Sequence, residues 1–136
     1  MAMTITNDPL ITLDAAEDLA GKEGFAGTVT GGTIALADGG EDTTVAMVGV
    51  ISSVQGNFAD GTQSGALQVS GVAYAVLGGA VTAGDLVTCA ATGGDSDWIE
   101  AATGGTKYAK GYALQTGADT ELIQVALIGT TISKVA

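Results

Sequence analysis

The chain has 136 residues with a formal charge of −11 from 15 Asp and Glu against four Lys, and it contains neither Arg nor His. That balance speaks against nucleic acid and against an anionic membrane surface, both of which need Lys and Arg to meet phosphate. The absence of His removes the commonest general base, metal ligand and triad member. An apolar fraction of 46% in a chain with one proline argues for a folded domain. With 22 glycines and few aromatics, that domain must have thin layers and tight turns.

In chain order, residues 1–12 read as an extended arm: Thr4-Ile5-Thr6 alternates, Asn7-Asp8-Pro9 marks a turn, and Leu10-Ile11-Thr12-Leu13 is again extended. Nothing at this end has the basic and apolar regions of a secretion signal, which predicts folding in a reducing cytoplasm, in keeping with the single Cys89. Residues 14–20 predict the one helix, with Asp14 as cap and Gly21 as stop. From Phe25 onward the pattern is strand and turn. Strands are expected over 25–30, 33–37, 45–54, 66–76, 86–91, 97–101, 107–114 and 121–128. The turns between them carry Gly31-Gly32, Asp38-Gly39-Gly40, Gly78-Gly79, Gly93-Gly94 and Gly104-Gly105. Val69, Gly71, Ala73 and Ala75 alternate with Ser70, Val72, Tyr74 and Val76, so strand 66–76 is expected to be buried on both faces.

The β pattern is stated twice. Thr33–Gly40, Met47–Ile51 and Leu67–Gly71 match Val87–Gly94, Ala109–Ala113 and Ile123–Leu127. Two related halves follow, about 25–77 and 79–129, within a β-rich domain spanning 13–136. The fold class is all-β: a small barrel or sandwich of short antiparallel strands, with one short N-terminal helix and an extended arm. The halves differ by two insertions, 55–62 and 95–100. Their large side chains, Phe58 and Trp98, are candidates for a loop interface or for plugs at the ends of the barrel.

The residues offer little to a catalytic reading. A strand-interior Cys89 with no neighbouring cation behaves as a small hydrophobe. The double glycines lack the Gly-Lys-Ser/Thr of a phosphate loop. The carboxylates at Asp38, Glu41 and Asp42, and at Asp95, Asp97 and Glu100, fit no calcium-loop spacing and read as solvated turns. A carboxylate-based hydrolase on the second cluster stands as the enzymatic alternative. No catalytic residue, metal or cofactor is expected.

Several stretches carry a resemblance. They are Asp18–Phe25 leading into a strand, Leu67–Ala73, Gly78–Thr88, Lys110–Leu114 and Leu122–Leu127. Together they resemble the capsid decoration proteins of tailed bacteriophages, over roughly residues 13–129. The resemblance implies a small β-rich protein that coats the outside of an icosahedral head, oligomerises, as a trimer rather than a dimer, and cements neighbouring major capsid protein subunits after expansion. It implies residence on the outer capsid surface of the virion, with no nucleic acid or membrane partner. The expected contacts are the arm residues Thr4, Ile5, Thr6, Pro9, Leu10 and Ile11, and the loop residues Phe58 and Trp98. An adhesin or fibre-type binding module is the alternative outside the capsid.

Overall fold

A computed structural model describes residues 10–38, 44, 46–89, 98–100, 108–128 and 133–134. It is all-β, and its two principal sheets repeat one plan. The first contains β1 (Leu10–Asp14), β2 (Ala26–Thr30), β3 (Thr33–Leu36), β4 (Val48–Gln55) and β5 (Ser64–Gln68), in the order β1-β5-β4-β2-β3. The second contains β6 (Gly71–Val76), β7 (Leu86–Cys89), β8 (Trp98–Glu100), β10 (Gly111–Ala113) and β11 (Leu122–Leu127), in the order β6-β11-β10-β7-β8. Counted within each half, both read first-fifth-fourth-second-third, and every ladder is antiparallel. A further short ladder pairs β9 (Tyr108–Ala109) with β12 (Ser133–Lys134).

Each sheet curls until its edges meet. In the first, Ala15 forms a parallel bridge with Ile34, and the Ala16 N–H donates to the Ile34 carbonyl at 2.8 Å. In the second, Leu77 bridges Trp98 in parallel, and the Gly78 N–H donates to the Trp98 carbonyl at 2.9 Å. Closure satisfies backbone groups that open edges would leave to water. The turn leading into the second strand of each half is also duplicated. Gly24 (φ +90°) donates to the Ile51 carbonyl, and Gly84 (φ +96°) donates to that of Ala113. Both glycines sit in the left-handed region, where a β-carbon would be strained.

This alignment revises the internal match read from sequence. The bridges and registers make Ile34 equivalent to Trp98, Gly49 to Gly111, and Leu67 to Val125. The Met47–Ile51 match to Ala109–Ala113 is therefore in register. The Leu67–Gly71 match slips by two residues, which keeps the inward–outward alternation and so escapes notice. The stretch beginning at Thr33 was paired with β7, but its counterpart is β8.

Other boundaries also move. Residues 14–20 are not helical: Asp14 ends β1, Ala15 makes the closing bridge, and Leu19 turns inward to complete burial. So short a helix has little stability of its own. Here the buried Gln63 side chain takes the Leu19 N–H at 2.8 Å and donates to Asp18 at 3.1 Å, which favours the non-helical path. Leu10–Thr12 belong to β1, paired with Ala66–Gln68, so the barrel begins two residues before the expected end of the arm. The single strand expected over 66–76 divides at Val69-Ser70. Gly71 (φ +79°) turns the chain from one barrel into the other, and Gln68 Nε2 braces the corner by donating to the Ser70 and Val72 carbonyls. The halves accordingly separate near residue 70 rather than 78.

The interior of the first barrel is built from Leu19, Ile34, Ile51 and Leu67. That of the second contains Leu77, Val87, Cys89, Trp98, Ile123 and Val125, and its apolar cluster continues onto Ala26, Val48 and Val50 on the outside of the first. The barrels thus share a core. Lys110, 5% exposed, adds a polar tie, its Nζ donating to the Thr44 and Ala46 carbonyls at 3.0 and 3.3 Å.

Candidate interaction surface

The residues expected to make contacts fall in several places. Thr4, Ile5, Thr6 and Pro9 lie outside the described residues, as do Asp95 and Asp97. Leu10 and Ile11 are strand residues of β1: Leu10 is exposed, and Ile11 is half-buried opposite Leu67. Phe58 begins a single 3-10 turn, Phe58–Asp60, and is half-buried. Asn57 caps that turn by accepting from the Ala59 N–H at 2.9 Å, and Gly61 ends it in the left-handed region. Trp98 is fully buried and forms the barrel-closing bridge, so it is a core plug and not a loop contact. The two aromatics therefore sit on different barrels and make no common site. Cys89 is likewise buried. Among the described residues, no three His, Cys, Asp or Glu side chains are grouped to hold a metal ion.

The surface that stands out is one that sequence reading noticed only in part. On the outside of the second sheet, the registers set Val72 opposite Ala126, Ala126 opposite Tyr112, and Tyr112 opposite Leu86. One unbroken apolar row thus crosses four strands. Beside it Tyr74 faces Gln124, whose backbone carbonyl takes the Leu114 N–H, and beyond that Val76 faces Leu122. Val72, Tyr74 and Leu122 are each more than half exposed, at 55, 57 and 54%, and Tyr112 is 46% exposed. The Gln124 side-chain amide lies 3.2 Å from the Tyr74 hydroxyl, so these two polar groups of the face are already paired. The alternation in Val72–Val76 was the available signal. It led to an expectation of burial on both faces, whereas Val72 and Tyr74 are exposed because no described residue packs over them.

The equivalent row in the first sheet has a different fate. Leu10, Gln68, Val50 and Ala26 are paired in the same sequence across β1, β5, β4 and β2. There Val50 and Ala26 are 2% and 0% exposed, within the cluster shared with the second barrel. Where the barrels join, a groove of about 230 Å³ runs between Val50 and Gln68 on one side and Val72, Tyr74 and Leu122 on the other. Glu23 is the one charged residue that lines it. Contiguous apolar surface of this kind marks contact sites in soluble proteins, with tyrosine especially enriched. Comparison with protein-family models, curated proteins and solved structures found no match.

Proposed function

We propose that this chain is a structural protein of a tailed-phage head, which binds the outer capsid surface and cements neighbouring major capsid protein subunits. The observation that carries the reading is the exposed, uncharged apolar face on β6, β11, β10 and β7 of a chain with charge −11. A surface protein present in many copies needs acidic solvation elsewhere and a defined adhesive face. The resemblance of Asp18–Phe25, Gly78–Thr88 and Leu122–Leu127 to decoration proteins supports the same reading. Those first two segments contain the duplicated Gly24 and Gly84 turns, so the resemblance falls on the part of the fold that is repeated.

In this reading residues 1–9 form the arm along the capsid protein and Leu10–Asp14 anchor it to the barrel, while copies associate with one another on the shell. Modest contacts then gain strength from repetition at high effective concentration. The test is to mix the protein with expanded, undecorated heads and follow co-sedimentation and the heat resistance of the particles. Saturable binding that raises heat resistance is expected, and its loss on deletion of residues 2–9 would assign the arm. Absence of binding to heads, with binding to cell surfaces, would favour an adhesin instead.

A further inference from the structure

We propose that the outer face of the second sheet, centred on Tyr74 and Tyr112, is the surface on which a second copy of this chain docks. The proposal deepens, and rests on, the self-association included in the reading above, and it identifies the residues that make it. The argument comes from the internal repeat. At the end of the first-sheet row that Val50 and Ala26 occupy, the fold is covered by another unit of the same five-strand plan. The equivalent positions, Tyr112 and Leu86, carry larger apolar side chains, and Tyr112 is 46% exposed. One face of one fold unit is thus buried by a sister unit inside the chain, while the same face of the second unit has no covering unit among the described residues.

Continuity and charge favour the same occupant. The face runs into the groove between the barrels, so a docked copy would extend a barrel–barrel interface that the chain already makes. Two copies each carrying −11 repel one another, and contact is favourable only where the surface is uncharged. The rows Val72-Ala126-Tyr112-Leu86, Tyr74-Gln124-Leu114 and Val76-Leu122 contain no charged side chain. The Gln124 amide and the Tyr74 hydroxyl are paired with each other, which reduces the desolvation cost of covering them and leaves the Tyr112 hydroxyl as the other polar group of the face.

Sedimentation of the full chain, without capsids, tests the proposal. The wild type is expected to sediment as a multiple of 13.2 kDa, and more completely as salt is raised from low to moderate concentration, because screening relieves like-charge repulsion. Tyr74→Glu combined with Tyr112→Glu should return the chain to monomer mass. Val72→Lys provides a second, single-site variant should the double one melt early. Thr12→Glu, at the first-sheet position equivalent to Tyr74, should leave the oligomer intact. An oligomer that persists in both face variants would overturn the assignment of this face and leave the oligomeric reading standing. A wild type that remains monomeric at high concentration would overturn both. A monomeric wild type whose binding to heads is lost in the face variants would assign the face to the shell and likewise overturn the proposal.

Discussion

Thr28 and Thr88 occupy the same position in the two barrels, each one residue before the strand residue that pairs with the closing bridge, yet among the described residues only Thr28 has a partner for its hydroxyl. Thr28 Oγ1 donates to the Met47 carbonyl at 2.9 Å, whereas the buried Thr88 Oγ1 has no partner among the described residues. The register supplies a cause. The residue equivalent to Met47 is Ala109, and its backbone is drawn into the separate ladder with Ser133. The side chain recurs in both barrels, and among the described residues its acceptor is present in only one.

The same substitution should therefore have opposite effects at the two sites. Thr28→Val removes a hydrogen bond and strands a carbonyl, and should cost about 1–2 kcal/mol. Thr88→Val removes an unpartnered buried hydroxyl and should be neutral or stabilising by up to about 1 kcal/mol. Urea unfolding of both variants provides the measurement. Equal destabilisation would show that Thr88 has an acceptor in the folded protein.

Gly49 and Gly111 form a second equivalent pair, and here both copies keep the constraint. A β-carbon at Gly111 would lie 2.6 Å from the Ala126 carbonyl oxygen, and one at Gly49 would press still closer on that of Gln68. Both obstacles are backbone, so neither yields by a rotamer change. Gly49→Ala and Gly111→Ala should each lower stability by about 1–3 kcal/mol, with Gly49→Ala the worse. Gly31→Ala, at a turn where a β-carbon meets no atom within 4 Å, provides a comparison in which only backbone strain is added.

Trp98 is the sole tryptophan and is fully buried, so its emission should be blue-shifted and poorly quenched by acrylamide until the second barrel unfolds. Its Nε1 has no partner among the described residues, so Trp98→Phe loses volume but no hydrogen bond. We expect Trp98→Ala to cost about 3–5 kcal/mol and Trp98→Phe clearly less, followed by circular dichroism through a urea titration. Similar losses for both would mean that the indole N–H is bonded.

Asp18 links the first barrel to pH. The Ala20 N–H, followed by the Gln63 side-chain amide, holds its carboxyl below the ordinary value of 3.8. A folded-state pKa below the unfolded one gives stability that is present above the unfolded value and lost as pH falls through the folded one. The difference in urea midpoint between wild type and Asp18→Asn should be constant at neutral pH and shrink below about pH 4. A difference that does not change with acidification would exclude the carboxylate as its source. Because Asp18 is solvent-exposed, the effect should also weaken with salt.

Much of the architecture was legible from residue order. Alternation of apolar residues located the strands of the two principal sheets from Ala26 onward, and the Gly31-Gly32 hairpin lies where it was expected, with φ +59° and +82°, while the double glycines at 39–40, 93–94 and 104–105 lie outside the described residues. Both are local signals, set by side-chain period and by backbone freedom at glycine. Even the duplication was visible, since similar local patterns recur wherever similar strands do.

What required the folded chain was pairing at a distance. The Ala15–Ile34 and Leu77–Trp98 bridges join residues far apart in the chain, and without them β3 aligns with β7 as readily as with β8. Leu19 was read as part of a helix because its neighbours have helical character, but burial inside the barrel and the Gln63 amide outweigh that weak preference. Trp98 was read as a possible contact residue because it stands in an insertion, and strand pairing turned it inward. The outer row of the second sheet shows the division most plainly. Alternation in Val72–Val76 is written in the chain, whereas its exposure depends on which face the first barrel covers. Side-chain period is a property of neighbouring residues; burial is a property of whatever packs against them.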